Sequence, residues 1–155
     1  MSTPISRTIS DLRGSFESNK IRSYDVRISQ LHALNCLIEE NLTELKDVLW
    51  KDLNRHPTFS SKILGGCIGS ITSTSNRLKE WMLPLKKDHG TLSSSSMEVR
   101  YQPRGIVLII GTWNFPCPLI FKPLTSALAA GNTVCIKLSE VCVRVSKLLA
   151  RLLTH

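Results

Sequence analysis

Tyr101–Glu140, YQPRGIVLIIGTWNFPCPLIFKPLTSALAAGNTVCIKLSE, is the stretch from which the architecture is read. Ile106–Ile110 is an unbroken β-branched and apolar run between Gly105 and Gly111, the pattern of a strand buried on both faces of a parallel sheet covered by helices. The residues from Pro116 to Ala130 predict a helix, with Pro123 as a kink and Gly131 as its stop. Thr133–Lys137 returns as a second strand, and Ser139 is placed to cap a last amphipathic helix carrying Val145, Leu148, Leu149 and Leu152. Strands joined through a helix of this length run parallel, with a right-handed crossover. Two parallel strands do not make a stable sheet alone, and the residues that follow, up to His155, supply no third strand. The expected fold class is therefore α/β: N-terminal helices followed by the first β-α-β-α part of a Rossmann-like parallel sheet, incomplete.

Upstream, residues 5–18 predict a short helix. Residues 24–53 predict a longer one, because Leu31, Leu34, Ile38, Leu42, Leu45, Leu49 and Leu53 recur at spacings of three and four. Ser23 can cap its start, and Asn54 with Pro57 can stop it. A third helix is expected from Thr58 to Trp81, with Phe59, Ile63, Cys67, Ile71, Leu78 and Trp81 on its inner face. Its Gly65, Gly66 and Gly69 lack a preceding strand and the G-x-G-x-x-G order, so they read as small residues that let helices approach closely rather than as a phosphate loop. Pro84 and the polar run KKDHGTLSSSS mark a linker, and Met97–Gln102 reads as an edge-like strand. The expected organisation is a helical segment over 1–82, a linker over 83–96 and a partial dinucleotide-binding domain over 97–155.

Composition narrows the class. With 42% hydrophobic and 21% charged residues, the 155-residue chain is not a solvated disordered polymer. No apolar run follows the basic residues of the N-terminus and no stretch approaches eighteen apolar residues, so the expectation is a soluble, intracellular and cytoplasmic protein. Cys36, Cys67, Cys117, Cys135 and Cys142 contain no C-x-x-C pair and no histidine at metal-ligand spacing, which points to reduced, mostly buried thiols and no metal site. The glycosylation sequon Asn41-Leu42-Thr43 is accidental in a chain without a signal peptide. A net charge of +8 invites a nucleic-acid reading, but the basic residues are scattered and form no stripe interleaved with aromatics. No nucleic-acid partner is expected.

Ligands of open parallel sheets bind beyond the carboxyl ends of the strands, here Gly111-Thr112-Trp113-Asn114 and Lys137-Leu138-Ser139-Glu140. Lys137 offers donors to a ribose hydroxyl or a phosphate, Glu140 accepts from ribose hydroxyls, and the Asn114 amide donates to a developing oxyanion. The plainer reading of Lys137 and Glu140 is a strand-end surface charge and a helix-start dipole partner.

PRGIVLIIGTWNFP, ALAAGNTVCIKLSE and the upstream RISQLHALNCLIEEN together carry a resemblance that covers nearly the whole chain, from Thr8 to Leu153. The chain resembles the N-terminal third of an aldehyde dehydrogenase, most closely the class 3 or fatty-aldehyde branch. That resemblance implies an NAD(P)-dependent oxidoreductase that oxidises an aldehyde to a carboxylic acid, forming a homodimer when complete. In the family a cysteine thiolate attacks the carbonyl, an Asn amide and backbone donors hold the oxyanion, hydride passes to NAD or NADP, and a Glu-activated water releases the acid. Asn114 matches the oxyanion Asn, Gly111, Thr112 and Trp113 match the backbone lining the nicotinamide side, and Lys137 and Glu140 match the ribose contacts. The family's K-P-S-E is K-L-S-E here, so Leu138 frees a backbone angle that proline would fix. The G-S-T-x-x-G, E-L-G-G and catalytic-Cys segments of the family have no counterpart in these 155 residues, and the chain alone is expected to be inactive. Cys117 is no substitute nucleophile, since relatives carry theirs much farther along. A membrane-anchoring tail in a longer form, the particular aldehyde and the choice of NAD over NADP stay open. The competing expectation is a non-catalytic protein that covers its exposed sheet by binding a partner subunit.

Overall fold

The computed structural model describes residues 4–87 and 96–154, in ten main elements. Helix α1 spans Pro4–Glu17, α2 Tyr24–Glu40, α3 Leu42–Leu53 and α4 Pro57–Trp81. Strands β1 (Leu85–Lys87) and β2 (Met97–Val99) are followed by β3 (Ile106–Ile110), α5 (Pro118–Ala129), β4 (Thr133–Lys137) and α6 (Val143–Leu153).

The two strands of the β3-α5-β4 unit are parallel, as expected, and their register runs from Ile106 opposite Thr133 to Ile110 opposite Lys137. Asn132 ties its lower end together. Its Oδ1 accepts from the amides of Arg104 at 2.7 Å and Gly105 at 3.0 Å, while its Nδ2 donates to Ala127 at 3.2 Å. Gly131 ends α5 with φ +79°, and Arg27 of α2 donates from Nη1 to the Ala129 carbonyl at 3.1 Å, placing a cation at the negative end of the helix. Phe121, Ile120 and Leu124 of α5 join Leu31, Leu34 and Ile38 of α2, Leu64, Cys67 and Ile71 of α4, and Val145, Leu148 and Leu149 of α6 in one apolar core. Burial of such side chains contributes about 1.5–3 kcal/mol each before conformational entropy is subtracted.

Several sequence expectations are corrected by this packing. The single helix over 24–53 is two, broken at Asn41, whose backbone leaves helical geometry at φ −109°, ψ 15° while its Nδ2 bonds the Leu37 carbonyl at 2.8 Å. Ser23 does cap α2, accepting from Val26 N at 3.3 Å, and Asn54 ends α3 in the left-handed region at φ 50°. On α4 the buried face is Ser60, Leu64, Cys67, Ile71 and Leu78; Phe59 and Trp81 point outward, each beneath an arginine. Gly65, Gly66 and Gly69 have nothing within 4 Å of an added Cβ, so they mediate no helix approach among the described residues.

Leu85–Lys87, expected as the beginning of a linker, pairs antiparallel with Met97–Val99, and Gln102 lies beyond the short β2 that results. Residues 88–95 of the expected linker lie outside the described residues. Strand β3 is not buried on both faces: Ile109 is 5% exposed, but Leu108 and Ile110 on the other face are 59% and 64% exposed. Helix α1 packs against both strands but leaves that pair of side chains uncovered.

Candidate functional site

Both halves of the expected site come from the carboxyl ends of β3 and β4. One step past the last paired residues, Gly111 N donates to the Lys137 carbonyl at 2.8 Å. A Cβ on Gly111 would stand 2.9 Å from Cδ1 of Ile120 and 3.4 Å from that carbonyl, so glycine is what lets α5 and β4 close on the strand end.

Beyond Gly111 the chain folds into a turn whose bonds converge on Asn114. The Thr112 hydroxyl donates to Asn114 Oδ1 at 2.8 Å, and the Phe115 amide donates to the same oxygen at 3.0 Å. Two donors on Oδ1 fix which end of the amide is oxygen and leave Nδ2 as the donor with no acceptor among the described residues. The backbone carbonyl of Asn114 accepts from Arg55 Nη2 at 2.6 Å, and the thiol of Cys142 donates to the Trp113 carbonyl at 3.2 Å. Asn114 and Trp113 are exposed.

The other half of the rim holds Lys137 and Glu140, both exposed and paired with each other. The hydrogen bond from Lys137 holds the Glu140 carboxyl below the usual glutamate range. Ser139 does not cap α6, contrary to expectation: its Oγ accepts from Val141 N at 3.3 Å and its carbonyl accepts from Ser146 Oγ at 2.7 Å. The amide of Val145, in the first turn of α6, donates instead to Asp52 Oδ2 at 2.9 Å. Leu138, the departure from the family motif, packs partly buried against the core.

A strand-end glycine, a pinned Asn amide and a Lys–Glu pair now stand on one rim, and the family model described as "Aldehyde dehydrogenase family" matches residues 5–155. The chain belongs to the aldehyde dehydrogenase family. The dimeric NADP-preferring aldehyde dehydrogenase of Rattus norvegicus is 36% identical over 152 residues, covering 96% of this chain and 33% of the relative. Human aldehyde dehydrogenase family 3 member B1 is 36% identical over 154 residues, covering 97% of this chain and 32% of the relative. A substrate-bound aldehyde dehydrogenase structure from Staphylococcus aureus superposes with a TM-score of 0.95 at 29% identity, covering 97% of this chain and 33% of that one. The chain thus spans about a third of the length of the relatives it matches.

Cys117 is unsuited to nucleophilic chemistry in this aldehyde dehydrogenase chain. Its side chain is 0% exposed, and burial, reinforced by neighbouring Cys67, pushes the thiol up to about 12. A position at a helix start does not overcome that desolvation. Beside the Asn114 turn, a groove of about 540 Å³ runs between α4 and α5, lined by Ser70, Phe115, Pro118, Leu119, Lys122 and Pro123. No helix among the described residues is long and apolar enough to cross a membrane.

Sequence reasoning missed two residues that hold this rim. Asp52 and Arg55 sit at the end of α3, 93 residues from Val145 and 59 from Asn114 respectively. The helix-stop signal at Asn54 marked the segment, but nothing local indicated its distant partners.

Proposed function

We propose that this chain is the N-terminal part of an NAD(P)-dependent aldehyde dehydrogenase, an oxidoreductase that converts an aldehyde to a carboxylic acid. The pinned Asn114 amide carries the proposal. With Oδ1 committed to Thr112 and Phe115, Nδ2 is held ready to donate to the aldehyde oxygen as negative charge develops on it. A donor fixed beforehand needs no reorganisation at the moment of reaction.

The rim residues fit a dinucleotide. Lys137 supplies donors and Glu140 acceptors at the open end of a parallel strand pair, the complement of ribose hydroxyls and phosphate. Gly111, Thr112 and Trp113 would line the nicotinamide side, and Lys137 and Glu140 would exchange their mutual pair for the ribose. NAD or NADP, when bound, supplies the hydride acceptor. The aldehyde's carbon chain would lie in the apolar groove beside Phe115 and Leu119. On this reading residues 97–155 form the first part of the cofactor domain, 1–82 its helical support, and the complete protein is a homodimer. The nucleophilic Cys and general-base Glu come from segments outside these 155 residues, so the chain by itself does not turn over aldehyde.

The test is direct. The purified 155-residue chain, given an aldehyde with NAD or NADP, is expected to form no NAD(P)H, and steady formation would overturn its assigned inactivity. Joined to the remaining two thirds of a family 3 relative, the chain is expected to become active. Asn114→Ala should then lower kcat by roughly 10²–10³-fold at unchanged cofactor affinity. Full activity of that variant would remove Asn114 from its role.

A further inference from the structure

Arg55 is the first residue beyond the left-handed Asn54, and its amide closes α3 on the Leu49 carbonyl at 3.4 Å. From there its guanidinium makes three contacts toward the Asn114 turn and the start of α4. Nη2 donates to the Asn114 carbonyl at 2.6 Å, and the guanidinium carbon lies 4.6 Å from the Phe115 ring centre and 5.5 Å from that of Phe59. No carboxylate pairs with Arg55 among the described residues; Asp52, three positions earlier, is taken by Arg144 and Val145 N. The cation is therefore committed to one backbone carbonyl and two aromatic faces.

We infer that Arg55 is a positioning residue for the Asn114 turn, the device that sets the amide and the Phe115 wall of the groove relative to the helical layer. Within the turn, the bonds from Thr112 and Phe115 to Oδ1 fix the amide only relative to its own neighbours. Arg55 fixes that local unit to α3 and α4, through a planar fork and two ring faces that lysine does not reproduce. Removing it leaves the Asn114 carbonyl to water and frees Phe115 from its cation. An amide displaced by an ångström from its productive position loses most of its effect on rate. The kinetic part of this inference rests on the proposed function; the structural part does not.

The experiment has two arms. In the 155-residue chain carrying Trp50→Phe and Trp81→Phe, the remaining Trp113 reports on the turn. Arg55→Gln is expected to raise iodide quenching of Trp113 and lower its anisotropy with far-ultraviolet circular dichroism unchanged, Arg55→Lys to do so less, and Phe59→Leu to give an intermediate shift. In the chain joined to the rest of a family 3 relative, Arg55→Gln is expected to lower kcat by roughly 10–100-fold while cofactor affinity stays constant, with partial recovery in Arg55→Lys. Trp113 signals identical in all variants, or a kcat loss that follows loss of folded protein and is equal in Gln and Lys, would overturn the inference. If the joined wild type makes no NAD(P)H, the functional reading fails, and the Trp113 arm still decides whether Arg55 holds the turn.

Discussion

The carboxylate of Asp52, at the end of α3, accepts the amide of Val145, in the first turn of α6, at 2.9 Å. Its other oxygen meets the Arg144 guanidinium at 3.2 Å, and the Asp52 side chain is only 4% exposed. It caps a helix to which it does not belong. Asp52→Ala should therefore destabilise the chain by about 1–2 kcal/mol, with Asp52→Asn retaining part of the stability because an amide oxygen still accepts. Urea unfolding of the three proteins checks the order, and equal midpoints would show that water replaces the cap.

Lys137 and Glu140, both exposed at the rim, are paired with each other. Carbon-detected NMR titration should place the Glu140 carboxyl midpoint below its ordinary value of 4.5, and Lys137→Met should return it upward. The pair persists above that midpoint and is lost as pH falls through it. Because both side chains are exposed, Lys137→Met should leave the unfolding midpoint nearly unchanged. Under the proposed function, its expected cost falls on dinucleotide affinity.

The buried thiols predict an alkaline limb of instability. Burial pushes Cys67 up to about 11 and Cys117 up to about 12, from an ordinary value of 9.0. A pKa raised in the fold gives stability that is present below the unfolded value and lost as pH rises from there toward the folded one. Each fully shifted thiol adds a slope of up to about 1.4 kcal/mol per pH unit. Cys117→Ala should make the decline above pH 9.0 shallower, whatever it does to stability at neutral pH. An unchanged slope would mean that Cys117 titrates alike in both states.

Two glycines should respond oppositely to alanine. Gly65 lies exposed within α4 with nothing near its missing Cβ, so Gly65→Ala should stabilise by about 0.5–1 kcal/mol. Gly131 has φ +79° and would carry its Cβ 2.6 Å from the Arg27 guanidinium, so Gly131→Ala should destabilise by more than about 1 kcal/mol. Thermal unfolding of the pair tests both signs.

Much of this arrangement was legible wherever the deciding interaction is local. The spans of β3 and β4, the stop at Gly131 and the cap at Ser23 follow from residues next to the features they control. The break at Asn41 escaped because its leucine stripe continues in phase across it, and periodicity does not register a change in backbone direction. The exposure of Leu108 and Ile110 escaped because an apolar run states what a strand can bury and not what is present to cover it. Asn114, Lys137 and Glu140 stand inside recognisable motifs, whereas Asp52 and Arg55 act on partners that only the folded chain brings near.

Asp52 and Arg55 belong to one four-residue segment, yet one holds the start of α6 behind β4 and the other holds the turn behind β3. The two sides of the rim are thus bolted to a common bracket, and a displacement at the end of α3 reaches both together. The length of the bracket is constrained as strictly as its chemistry. A single residue inserted between Asp52 and Arg55 would swing one bolt away from its seat while leaving every side chain of the rim intact.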